Sequence, residues 1–119
     1  MEFIEAPAFT RTLATHLDDE EYRLLQAALV EKPKAGTVIP ETGGLRKVRW
    51  REPRRGKGKR GGLRVIYYYL EEAAHIWLLT VYDKDETDDL TPQQKKTYRQ
   101  FVREIKNAWA ATRKARSQS

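Results

Sequence analysis

Hydrophobic and polar residues alternate along this chain in three distinct rhythms. From Leu45 to Arg51 the period is two: Lys47, Arg49 and Arg51 share one face of a strand, and Arg46, Val48 and Trp50 share the other. Arg64 to Leu70 and Ile76 to Tyr82 are nearly unbroken apolar and aromatic runs, the pattern of central strands covered on both faces. Elsewhere the period is helical. Tyr22, Leu25, Ala28 and Leu29 repeat after a capping-box pattern of Asp18 and Glu21, and the residue before Pro33 ends that helix. A helix following Pro7 buries Phe9, Leu13 and Leu17. The last helix has Thr91 as cap, Pro92 at its first position and Gln94 closing the box. Tyr98, Phe101, Val102, Ile105, Ala108 and Trp109 form its apolar stripe.

The remaining segments follow from these. Phe3 to Glu5 reads as a short edge strand, and Gly36 to Gly44 as a connecting loop with Val38 and Ile39 packing inward. Glu71 to His75 is a tight turn between two strands, and Arg113 to Ser119 is a frayed polar tail. The domain expected is therefore a single one over residues 1–112, with 113–119 as tail. A chain of 119 residues has room for one such core.

Composition narrows the class. Cysteine is absent, which excludes disulfides and thiolate metal sites and fits a reducing compartment. The N-terminus lacks the pattern of a signal peptide, and no apolar run approaches the ~20 residues that span a bilayer. A cytoplasmic protein with no membrane partner is the expectation. No metal or cofactor is implied, because the acids cluster in helix caps and around Lys84 rather than in a ligand-like constellation.

Charge changes the picture most. Leu45 to Arg64 holds ten Lys or Arg and one acid, Glu52, a net +9 in a chain whose total is +6. The cations interleave with glycine in Gly56-Lys57-Gly58-Lys59-Arg60-Gly61-Gly62 and lie between strand-like runs, as suits a phosphate backbone presented to a framework. If the three strands form successive antiparallel hairpins, Arg49, Arg51, Arg64 and the stretch Tyr82 to Lys84 meet at one edge of the sheet, where the glycine-rich loop also emerges.

Such an edge suits RNA cleavage through the RNA's own 2′-hydroxyl. That reaction needs a base, cations for the crowded phosphate, and an acid for the leaving 5′-oxygen. The two histidines are badly placed for it: His16 falls near a helix end, and His75 lies in the turn at the opposite edge. A site without histidine could use a lysine as base, arginine for charge stabilisation, and tyrosine or arginine to orient or donate. Such chemistry gains from an external scaffold that supplies geometry.

At these residues the chain resembles a known family. The stretches Gly43-Gly44-Leu45-Arg46-Lys47-Val48-Arg49, Gly56 to Tyr68, and Leu78-Leu79-Thr80-Val81-Tyr82-Asp83-Lys84-Asp85-Glu86 are similar, in order and spacing, to the HigB branch of the RelE-like toxins. The Asp18 to Tyr22 helix start and the Leu90 to Gln94 cap share the likeness, which covers most of residues 3–109.

The resemblance implies a small α+β fold, an antiparallel sheet with two N-terminal helices and a C-terminal helix packed on it. It also implies an endoribonuclease that cleaves mRNA in the ribosomal A site, with a partner antitoxin of helix-turn-helix type and with ribosome and mRNA as further partners. Carried over by position, it assigns Lys47, Arg49, Arg64 and Lys84 to catalysis. Tyr82 joins them as the nearest phenol, since Thr87-Asp88-Asp89-Leu90 holds no tyrosine where the family places one. Which residue is acid and which is base stays open. Arg46, Arg51, Lys57, Lys59 and Arg60 are the candidates for RNA binding. Two other functions fit the same residues: a toxin of this fold acting on another target such as DNA gyrase, and a non-catalytic RNA-binding module.

Overall fold

The computed structural model describes residues 1–50, 62–83 and 89–118, with side chains through residue 116. Strand β1 spans Glu2–Glu5, helix α1 Pro7–His16, helix α2 Asp19–Glu31, strand β2 Thr37–Val38 and strand β3 Arg46–Trp50. Strand β4 spans Leu63–Leu70, strand β5 His75–Asp83 and helix α3 Pro92–Gln118. The five strands form one sheet in the order β1-β5-β4-β3-β2.

The antiparallel core is the one expected: β3 pairs with β4, and β4 with β5. Two strands add to it. β1 joins the outer side of β5 in parallel, Glu2 opposite His75, so the sheet is mixed. The segment Gly36 to Gly44, expected as loop, contains β2, whose two residues pair antiparallel with Lys47 and Arg46. Of its two apolar residues only Ile39 packs inward (6 % exposed), because Val38 stands on the outermost strand and is 47 % exposed.

The two central strands are apolar on both faces because helices cover both. On one face Phe9 of α1, Leu17 after it, and Leu25 and Leu29 of α2 pack on Leu63, Val65, Tyr67, Ile76, Leu78 and Val81. On the other face Val102 and Ile105 of α3, with Leu90, Leu45 and Ile39, pack on Ile66, Tyr68, Leu70, Leu79 and Tyr82. A register shift between Ile66 and Tyr67 leaves Leu79 out of the pairing; it packs in the second core while Leu78 joins the first.

Local signals set the boundaries. Asp18 accepts from the Glu21 backbone N–H at 2.7 Å, and Glu21 accepts from the Asp18 N–H at 3.1 Å, so both halves of the capping box are made. Thr91 and Gln94 do the same ahead of α3. The tail expected from Arg113 onward is instead helical through Gln118. Ala110 and Ala111 extend the helix past Trp109, and Arg113 bonds to Glu72 at 2.6 Å. At the β2 end, the Tyr67 hydroxyl donates to the Pro33 carbonyl and accepts from the Gly36 N–H. A Cβ on Gly36 would lie 2.9 Å from the Tyr67 ring, so the chain passes there only as glycine.

Candidate cationic site on the sheet

The pairing of β3, β4 and β5 sets Arg49 opposite Arg64 and Arg64 opposite Tyr82. Directly paired residues of an antiparallel sheet project to the same face, so the three form one row. The next row on that face is Lys47, Ile66 and Thr80. Lys47, Arg49, Arg64 and Tyr82, singled out from sequence, therefore share one face near the β3–β4 and β5 ends, as the hairpin topology required.

They differ in exposure. Arg49 is open to solvent, Lys47 is half-buried, and Arg64 is only 4 % exposed. The Arg64 guanidinium donates to the Leu63 carbonyl at 3.5 Å. Two arginines directly opposed on neighbouring strands repel, and an anion between them turns that repulsion into attraction. A depression of about 510 Å³, lined by Ala35, Thr37, Lys47, Val48 and Arg49, opens beside the row. It exists because β2 pairs only as far as Lys47 and leaves the β3 backbone from Val48 onward without a strand on that side among the described residues.

Tyr82 is 8 % exposed, and its hydroxyl is buried with no hydrogen-bond partner among the described residues. Burial, and then the Asp89 carboxylate, raise its pKa; Arg64 opposes them. The phenol consequently stays protonated at neutral pH, so its O–H is present to donate a hydrogen bond, while the raised pKa makes it a weaker source of a transferred proton.

Sequence reasoning missed Asp89. Its Oδ1 lies 3.9 Å from Lys47 Nζ and also accepts from the Leu90 N–H. The one signal was its place just before the Leu90-Thr91 cap, and the chain there passes beside Lys47. Tyr98, expected only as core, also hydrogen-bonds the Thr80 side chain in the row beside Tyr82.

Not every candidate joins this group. Arg46 faces the other side of β3, where its guanidinium donates to the carbonyls of Gly36 at 2.8 Å and Lys34 at 3.3 Å. It ties down the loop before β2. Arg51, Lys57, Lys59 and Arg60, together with the glycine-rich loop, and Lys84 lie outside the described residues. His75 is at the opposite end of the sheet as expected, packed edge-on against Trp109. His16 is buried at the end of α1. An apolar cavity of about 300 Å³ between Trp77, Phe101 and Trp109 also lies at that far end. Among the described residues no group of three or more His, Cys, Asp or Glu is arranged to hold a metal ion, and no helix is long and apolar enough to cross a membrane.

A mixed five-stranded sheet of this order, with a helix pair on one face and a C-terminal helix on the other, is a RelE-like α+β fold. Among the solved structures that show the likeness is that of the E. coli toxin RelE in the free state, as a mutant with two arginines replaced by alanine. It has a TM-score of 0.51 and 15 % identity, over 73 % of this chain and 86 % of that one. No protein-family model matches the sequence.

Proposed function

We propose that this chain is the toxin of a toxin–antitoxin pair and acts as a ribosome-dependent mRNA endonuclease of the HigB branch, cutting in the A-site codon and so stopping translation. The observation that carries this reading is the cross-strand row of Arg49, Arg64 and Tyr82 with Lys47 beside it. The fold likeness to a protein described as a toxin, and the motif resemblance around the same residues, point the same way.

In this reading the 2′-hydroxyl of the RNA attacks the adjacent phosphorus and the bond to the 5′-oxygen breaks, leaving a cyclic phosphate and a free 5′-hydroxyl. Arg64, with Arg49, stabilises the charge that builds on the phosphate oxygens. Lys47 is within the same cluster to relieve the 2′-hydroxyl of its proton. Tyr82, protonated and buried against the row, donates toward the phosphate or the leaving oxygen. Lys84 supplies a further cation, and Arg51, Lys57, Lys59 and Arg60 hold the RNA backbone. The ribosome presents the substrate, no metal or cofactor takes part, and a helix-turn-helix antitoxin in the cytoplasm keeps the toxin silent.

The test is Arg64→Ala. Expression of the wild type stops growth, and primer extension on ribosomes stalled on a defined mRNA shows cuts in the A-site codon. With Arg64→Ala both should vanish while the circular dichroism spectrum and antitoxin binding persist. An Arg64→Ala chain that stays fully toxic removes the assignment. Intact mRNA with damaged DNA in wild-type cells would point to a topoisomerase target instead.

A further inference from the structure

A second concentration of positive charge lies on α3. Pro92–Gln118 holds eight Lys or Arg and one acid, Glu104. Within its first half Lys95, Lys96, Arg99, Arg103 and Lys106 fall at spacings of three and four, which places them along one side of the helix. Lys96, Arg99, Arg103 and Lys106 are exposed.

Three features set this stripe apart from an ordinary solvated face. Neighbours at those spacings are all of one sign, an arrangement that destabilises a helix. The first turn contains no acid, and Lys95 and Lys96 stand close to the positive end of the helix dipole, where cations are disfavoured. The stripe also has a fixed direction: Lys106 Nζ bonds the Gly43 carbonyl at 3.1 Å and lies 5.8 Å over the Tyr68 ring, and a Cβ on Gly43 would meet Arg99 Cγ at 4.0 Å. The cations thus run down the side of α3 that meets Gly43 and Tyr68. They start from the helix end at Pro92, three residues after Asp89, whose Oδ1 is 3.9 Å from Lys47.

We infer that this side of α3 is a phosphate track for the single-stranded RNA that flanks the bond in the cationic row. The inference rests on reading that row as an RNA site and extends it by a second, non-catalytic surface. Lys96 to Lys106 spans about 15 Å of helix, the length of about four stacked nucleotides. Cations along such a groove track a backbone without reading its bases.

The experiment compares the full-length wild type with the triple variant Lys96→Glu, Arg99→Glu, Arg103→Glu by fluorescence anisotropy. The probes are uncleavable 2′-methoxy RNAs of about four and about twelve nucleotides, within the range of known single-strand site sizes. The reversal should weaken binding of the longer RNA at least tenfold and flatten its salt dependence by about two units in the slope of log K against log salt, since each phosphate contact contributes about 0.7. Binding of the shorter RNA, which can occupy the row or the track but not both at once, should weaken far less. A milder triple glutamine variant, with folding checked by circular dichroism, should show the same length-selective loss in smaller measure.

Equal losses on both RNAs, or none on either, overturn the track. So does a glutamate-rich peptide that binds the wild type more tightly than the longer RNA does and is released by the reversal, which would give this face to an acidic protein segment. The catalytic reading fails by a different readout, toxicity of Arg64→Ala, so the two are judged apart.

Discussion

A phenol buried without a partner is expensive to keep. Leaving such a group unsatisfied costs about 1–3 kcal/mol, and among the described residues the Tyr82 hydroxyl, beside Arg64, has no partner. Tyr82→Phe removes the oxygen and preserves the ring, so thermal stability should hold or rise while RNA cleavage falls. Cleavage unchanged in Tyr82→Phe would reduce the residue to packing. The phenols as a set carry a second expectation. Burial raises the pKa of Tyr22, Tyr67, Tyr68, Tyr82 and Tyr98 above 10.0. A raised folded pKa favours the protonated form, so this stability is complete below the unfolded value near pH 10 and is lost as pH climbs through the folded values. Denaturant midpoints should be flat on this account up to about pH 10 and fall above it, with phenolate absorbance appearing together with unfolding. The shared face of Lys47, Arg49, Arg64 and Tyr82 was legible because strand alternation and hairpin order fix which side chains lie together. Arg46 was not, because its partners are backbone carbonyls at Lys34 and Gly36, and a carbonyl leaves no mark in a sequence.

Elements with chemical punctuation were read closely. The boxes at Asp18–Glu21 and Thr91–Gln94 name their own first turns, and both are made. Asp18→Ala should therefore cost about 1 kcal/mol in denaturant unfolding, the usual worth of an N-cap, with site geometry untouched. Elements defined by distant partners were read less well. The two residues of β2 carry no periodicity of their own and become a strand only because β3 offers an edge. The end of α3 was underestimated because its apolar stripe stops at Trp109. Beyond that point alanine and long basic side chains continue the helix by propensity, and the ion pair of Arg113 with Glu72 holds it to the turn before β5.

At the scale of the molecule, one sheet separates two cores and assigns them different work. The face under α1 and α2 is closed by Phe9, Leu25 and Leu29. The face under α3 is closed by Val102 and Ile105, and the row Arg49–Arg64–Tyr82 runs across the same face, with Tyr82 belonging to both. This division was foreshadowed by the two strands that read apolar on both faces. The charge on α3 was less legible because the aromatic stripe defines that helix and the cations only flank it. The parallel pairing of β1 with β5 has a consequence for how the protein comes into being. Glu2 is paired with His75, so the first strand made must wait for one of the last. At translation rates of about 5–20 residues per second that wait is several seconds, during which β1 has no partner in its own chain. The sheet is completed only after β5 clears the exit tunnel, and a nascent chain truncated before His75 can neither close its N-terminal edge nor assemble the row that ends in Tyr82.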